Sequence, residues 1–284
     1  MDKKTICEKI GYSISRALLY EVTCAVKPGL VDRYDNGSHE DMDIFTFIDS
    51  VCAIGRYFEK IALIGYDWEE ISNESLWLIR PLGIECEKEM FVATKGVNTH
   101  KGAVFSMSVI AACSAFCYKK YGKIDIEKLC EYSSITVSDV MKDFENLDKK
   151  EHLSHGEKLY LKYGYKGIRG EVMSGFESIR KFSLSEIRKM DNPNFKKEEV
   201  LVNTLLNLIA NVEDTNILYR SDIYLMKEIQ ERAKECILCG GAYKKEGKNK
   251  IIKLDNFCKS MKISPGGCAD LLAVSIAFYF LERI

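Results

Sequence analysis

The chain is 284 residues long, 46% hydrophobic, and carries 42 acidic against 41 basic side chains for a formal net charge of −1. That apolar content supports a substantial core and excludes a disordered chain, while the near-neutral balance excludes a global attraction to nucleic acid or to an anionic membrane surface. The N-terminus scatters charge where a targeting segment would hold an apolar run, and we read no 18-residue stretch as free of charge, so the expectation is a cytoplasmic protein with no membrane span.

From Lys3 to about Ala25, the residues Ile6, Ile10, Ile14, Ala17, Leu18 and Val22 keep the rhythm of an amphipathic helix, which Pro28 and Gly29 stop. Ser38 followed by Asp41 resembles a capping box for a second helix running to Ile64. A third helical stretch starts at Trp68 and must break or kink at Pro81. Then comes a short hinge, Thr94 to Ser106 (T-K-G-V-N-T-H-K-G-A-V-F-S), leading into an apolar helix from about Lys101 to Tyr118. Asp125 caps the next helix. The glycine density of G164-Y-K-G-I-R-G-E-V-M-S-G175 argues against a helix interior there. Residues 183–198 read as a polar connector, and helices follow from Glu198 and over Asp222 to Leu238. After G240-G, a lysine- and glycine-rich loop leads to Ser264-Pro265 and a last helix, Gly266 to Glu282. No segment alternates as a strand would, so the fold class is all-α: a single compact domain over residues 1–284, of roughly ten helices with glycine-rich polar turns at their ends.

Eleven cysteines read as reduced thiols, since Cys52, Cys113, Cys117 and Cys130 fall on apolar helical faces. Cys236 and Cys239 have metal spacing but lack two further ligands at a suitable distance in sequence.

Polar residues collect at helix ends: Glu21 to Asp43, Lys95 to Lys101, His155 to Glu171, Asp214 to Arg220, and Ser264 to Asp270. Three of these places put glycine ahead of a helix start, where backbone N–H groups and the positive dipole end receive anions, and three such turns suggest a polyphosphate. Arg169 and Arg220 add guanidinium forks suited to phosphate. The carboxylates beside them, Glu21, Asp32, Asp41, Asp43, Glu157, Glu171, Asp214 and Asp270, are the oxygen ligands that Mg²⁺ prefers next to a polyphosphate, although each taken singly also fits a helix cap. His39, His100 and His155 stand close to glycine and charged residues, leaving a His₃ zinc centre as a second reading, while His152 lies in a solvated charge run.

The segments K27-P-G-L-V-D32, H39-E-D-M42, G96-V-N-T-H-K-G-A103, H155-G-E157, G167-I-R-G-E171, D214-T-N216 and S264-P-G-G-C-A-D-L-L272, in this order, resemble the motif series of the triphosphoribosyl-dephospho-CoA synthase family. The chain departs from that pattern at Tyr219, Ser221 and Asp222, and has Cys268 where Ser is usual. The resemblance implies an all-helical transferase that takes ATP, releases adenine and moves the 5-triphosphoribosyl group to the 2′-hydroxyl of 3′-dephospho-CoA. The product would be the prosthetic-group precursor for the acyl carrier protein of citrate lyase or malonate decarboxylase, handed on to a holo-acyl-carrier-protein synthase.

On this reading Glu21, Glu157 and Glu171 are catalytic, with Glu157 or Glu171 as the base. Substrate binding falls to Lys27, Gly96, Asn98, His100, Lys101, Gly102, His155, Arg169, Asn216, Arg220, Gly266 and Gly267, with the hinge at Thr94 to Ser106 as one wall of the ATP triphosphate site. Asp41, Asp43, Asp214 and Asp270 are the candidate Mg²⁺ ligands. Two rivals are a helical Mg²⁺-dependent N-glycosidase of the ADP-ribosyl hydrolase kind, with water as acceptor, and a non-enzymatic helical scaffold.

Overall fold

The computed structural model describes residues 1–145, 147, 153 and 155–284, with the side chains of Asp143 and His155 outside that description. Among the described residues there are helices and turns but no strand. The α-helices are α1 (Lys3–Thr23), α2 (Ile44–Asp67), α3 (Ser75–Ala93), α4 (Lys101–Tyr121), α5 (Ile126–Thr136), α6 (His155–Tyr163), α7 (Gly167–Met173), α8 (Glu177–Phe182), α9 (Leu184–Ile187), α10 (Lys197–Asn211), α11 (Thr215–Arg220), α12 (Ile223–Leu238), α13 (Lys245–Ser260) and α14 (Gly266–Leu281). The 3-10 turns Val140–Phe144, Arg188–Asp191 and Gly241–Tyr243 lie between some of them.

Backbone contacts gather these elements into two compact units, each discontinuous in sequence. The first comprises Met1–Ala17, Asp49–Glu177 and Phe280–Ile284. Its centre is α4, where Ala103, Val104, Met107, Ile110, Cys113 and Phe116 are all buried. Helix α3 packs on α4, and α5 and α7 pack on it as well. Helix α4 is long and apolar enough to cross a membrane by composition, but 78% of its apolar window is buried, as in a core helix. The second unit comprises Leu18–Ile48 and Ser178–Tyr279. There α10 packs on α9 and α12, and α12 on α13. From Leu271 to Tyr279 every residue of α14 is buried, so a helix apolar on all sides is covered on all sides.

Several boundaries differ from the sequence expectation. Helix α3 begins at Ser75 and runs uninterrupted through Pro81, because Pro81 and Trp77 lie on the exposed side, where water can reach the carbonyl that loses its N–H donor. Ser38 does not cap α2: its hydroxyl donates to the carbonyl oxygens of Ile263 (2.7 Å) and Cys258 (3.3 Å). Asp43 caps that helix instead, accepting from the N–H and hydroxyl of Thr46, each at 2.8 Å, while its own N–H donates to Thr46 Oγ1. The glycine-rich run 164–175 contains α7: Gly164, at φ 74°, ends α6, and Gly175, at φ 65°, follows the end of α7. The supposed connector at 183–198 holds α9 and a 3-10 turn. The lysine-rich segment after Gly241 is helical from Lys245, and Gly247 stands inside α13 because a Cβ there would lie 2.0 Å from the carbonyl oxygen of Gly241.

Candidate active site

In the first unit the hinge resolves into a helix stop followed by a helix start. The N–H of Gly96 reaches back to the carbonyl of Phe91 (2.8 Å) and that of Lys95 to Val92 (3.3 Å), the paired bonds of a Schellman motif, with Lys95 itself at φ 55°. Asn98 Oδ1 then accepts from the N–H of Lys101 (3.2 Å) and so closes the first turn of α4. His100 is 3% exposed, and its Nδ1 shares a 2.8 Å hydrogen bond with Ser50 Oγ, which also accepts from Thr99 Oγ1 (2.8 Å). Gly96, Asn98 and His100 therefore shape the turn from which Lys101 projects. Lys101 Nζ sits 2.6 Å from Glu87 Oε1, with both side chains part-exposed.

Behind Lys101 opens a cavity of about 220 Å³ between α3, α4, α7 and Val140. Ile79, Ile84, Val104, Phe105, Val109 and Ile168 supply its apolar lining, and Arg80, Glu87, Lys101 and Arg169 its charges. The Arg169 guanidinium lies over the rings of Phe144 (5.1 Å) and Phe105 (5.9 Å). Two residues on in α7 is Glu171, and Glu157 is buried in the first turn of α6. His152 and the side chain of His155 lie outside the described residues.

In the second unit Glu21, Lys27 and Asp32 form a buried charged group, 4%, 1% and 4% exposed. Lys27 Nζ pairs with Glu21, and the Lys27 N–H donates to Asp32 Oδ2 at 3.0 Å. Asp32 Oδ1 accepts from the N–H groups of Tyr34 (2.7 Å) and Asp35 (3.3 Å). Burial pushes the Glu21 carboxyl above its ordinary range; Lys27 opposes this and Asp32 reinforces it. The loop is fixed further along, where the Gly29 N–H donates to Asp255 Oδ1 (3.0 Å) and a Cβ at Gly29 would meet the Ile263 carbonyl oxygen at 2.3 Å.

His39, Arg220 and Ser264 meet in the same unit. His39 Nε2 shares a 2.9 Å hydrogen bond with Ser264 Oγ, and its Nδ1 lies 3.5 Å from Asp41. Burial and the Arg220 charge lower the imidazole pKa below 6.5, against a smaller opposing pull from Asp41. Asp214, 1% exposed, accepts through Oδ1 from the N–H groups of Asn216 (2.7 Å) and Ile217 (3.2 Å), and through Oδ2 from that of Cys268 (2.8 Å). Burial raises its carboxyl pKa while these three donors pull it down. Asn216 stands beside Gly266, where a Cβ would lie 3.0 Å from its Nδ2, and Gly267 stands against the Asp214 carboxylate.

The four candidate metal carboxylates thus differ. Asp43 and Asp214 are engaged as caps, the Asp41 side chain is 62% exposed, and Asp270 is part-buried in the first turns of α14. Among the described residues no three of His, Cys, Asp and Glu converge as a metal-binding group. These residues do not fit a resident all-protein cage. Burial pushes the Cys236 thiol up to about 11.

Sequence reasoning missed Asp255, Ser50, Glu87 and the whole apolar cavity. Asp32 stood among the carboxylates without a role, although its five-residue spacing from Lys27 was a usable signal. Ser50 and Glu87 sit in ordinary helical sequence and carry no local mark.

The model of the family described as ATP:dephospho-CoA triphosphoribosyl transferase matches residues 7–284. A probable 2-(5″-triphosphoribosyl)-3′-dephosphocoenzyme-A synthase of Malonomonas rubra is 37% identical over 278 residues, 97% of this chain and 88% of the relative. Another of that name, from Streptococcus mutans serotype c, is 33% identical, with both chains covered in full. The 2-(5″-triphosphoribosyl)-3′-dephosphocoenzyme-A synthase of Klebsiella pneumoniae is 33% identical over 96% of this chain and 91% of its own. No solved structure matches. With its ordered motifs and all-helical fold, and with a family match from residue 7 to residue 284, this chain belongs to the ATP:dephospho-CoA triphosphoribosyl transferase family.

Proposed function

We propose that the chain, acting as one enzyme over residues 1–284 in the cytoplasm, moves the 5-triphosphoribosyl group of ATP to the 2′-hydroxyl of 3′-dephospho-CoA. The C1′–N9 bond of ATP breaks and adenine leaves with a proton; the acceptor hydroxyl forms the new C1′–O bond and gives up its proton. Positive charge gathers on the ribose as the base departs, as in glycoside hydrolysis, so a carboxylate near C1′ stabilises the transition state.

One observation carries the assignment of roles: Glu21, Lys27 and Asp32 are charged, buried and grouped, although a buried ion pair is weak support for stability. Glu21 is the carboxylate that faces the developing charge. Glu171, two residues from the cavity-lining Arg169, is the base that takes the acceptor proton, and Glu157 is its runner-up. Two phosphate-bearing substrates require two anion sites. Lys101, Gly102 and Arg169 in one unit, and Asn216, Arg220, Gly266 and Gly267 in the other, are the groups suited to them, with His155 as a further phosphate contact. Mg²⁺ enters with ATP, where it neutralises triphosphate charge, and Asp41 and Asp270 are the carboxylates we assign to holding it. The product serves the acyl carrier protein of citrate lyase or malonate decarboxylase, through a holo-acyl-carrier-protein synthase.

The test is to mix the protein with ATP, Mg²⁺ and dephospho-CoA and to follow free adenine by chromatography. Stoichiometric adenine that depends on dephospho-CoA supports the reading. Adenine released equally without the acceptor would point to an N-glycosidase, and no adenine at all would sink the assignment.

A further inference from the structure

We infer that the cavity behind Lys101 receives the pantetheine arm of dephospho-CoA, with the diphosphate of that substrate at its charged lining; this rests on the transfer reaction proposed above. The shape of the chemistry decides between substrates. In ATP, the triphosphate ends in oxygen, with nothing beyond it to fill an apolar cavity, and adenine carries ring nitrogens and an amino group that require polar partners. In dephospho-CoA, the diphosphate is followed, after one methylene, by the branched dimethyl carbon of the pantoyl group with a single hydroxyl beside it, and then by a flexible chain of methylenes and two amides. The cavity presents that sequence of properties: Lys101 and Arg169 beside Ile79, Val104, Phe105 and Ile168. Arg80, Lys101 and Arg169 stand on this lining with the carboxylate of Glu87, and guanidinium and ammonium groups are the donors that a diphosphate diester takes. The Ser108 hydroxyl is committed to the Val104 carbonyl at 2.6 Å, so this polar side chain of the lining has no proton left to donate to a nucleobase.

Gly83 marks the space itself. It lies within α3 on the cavity lining, and a Cβ built there would meet only Ser108 Oγ, at 3.9 Å. A Cβ at position 83 therefore stands on the lining of the volume assigned to the arm without displacing a neighbour. Helix propensity favours such a replacement, since glycine is the less favourable residue inside a helix.

The experiment is calorimetric titration of wild type, Gly83→Ala and Gly83→Leu with dephospho-CoA, with ADP, which keeps the adenosine and diphosphate but lacks the arm, and with ATP. Dephospho-CoA should bind wild type more tightly than ADP does. Gly83→Leu should weaken dephospho-CoA about tenfold or more, Gly83→Ala should weaken it less, and ADP and ATP should be held as before. Equal losses for dephospho-CoA and ADP, a loss confined to ATP, or no loss at all would each overturn the proposal. Should Gly83→Leu fail to show the wild-type helical circular dichroism, wild type alone decides, because equal affinities for ADP and dephospho-CoA would overturn it equally. Adenine release by wild type is scored separately: arm-dependent binding without adenine keeps the pocket and rejects the transfer reaction.

Discussion

The carboxylate of Asp214 accepts the N–H of Cys268 at 2.8 Å while its other oxygen closes the first turn of α11, so one buried side chain caps two helices 54 residues apart in sequence. Replacing it by alanine leaves three buried or part-buried N–H donors without their acceptor. Asp214→Ala should lower unfolding free energy by about 2–4 kcal/mol, read from urea denaturation, and Asp214→Asn, which keeps one carbonyl acceptor, by less.

Lys27 and Glu21 neutralise each other where water does not reach. Lys27→Met alone strands the Glu21 carboxylate and should cost about 3–5 kcal/mol of stability. Adding Glu21→Gln should recover most of that loss while leaving adenine release abolished. A double-mutant cycle on urea midpoints, paired with turnover assays, separates the two effects. Full additivity of the stability losses would mean that the pair does not interact.

His39 gives a pH dependence of known sign. Burial and Arg220 hold its folded-state pKa below the ordinary 6.5, so below that pH the unfolded chain takes up the proton more readily. The stability it contributes is complete above pH 6.5 and falls as pH drops through the window beneath it. Urea midpoints measured from pH 7.5 downward should show this fall in wild type, and the slope should shrink in His39→Gln.

Lys101 pairs with Glu87 in a part-exposed setting, so its loss should cost under about 1 kcal/mol of stability. As a phosphate contact beside the cavity it should matter more for binding. Lys101→Ala should raise the KM for dephospho-CoA about tenfold to a hundredfold with little change in melting temperature. An unchanged KM would remove Lys101 from the site.

Glu171→Gln keeps the size and shape of the side chain and removes its basicity. Adenine release should fall by about 10²–10⁴-fold while ATP binding by calorimetry is retained. Turnover at the wild-type rate would transfer the role of base to Glu157.

What the sequence by itself determined was the helical class and the location of the polar turns. Apolar residues at three-to-four spacing specify an amphipathic helix whatever it packs against, which is why α1, α5 and α10 could be read directly. The ordered glycine and carboxylate motifs likewise identified the family, since they are strings of neighbouring residues. Boundaries were harder where packing overrides local preference: Gly247 and Pro81 are poor helix residues, yet α13 needs the close approach to Gly241, and the exposed side of α3 tolerates a missing donor. Only the tertiary structure decided what each polar group does. Asp43 and Asp214 share a residue type and an expected role with Asp41, but two are caps and one is open to solvent. Gly29 meets Asp255, and His39 meets Ser264, across more than two hundred residues of chain. The cavity behind Lys101 is formed by side chains whose local sequence says only that they are apolar, because a void is a property of how helices pack and not of any one of them.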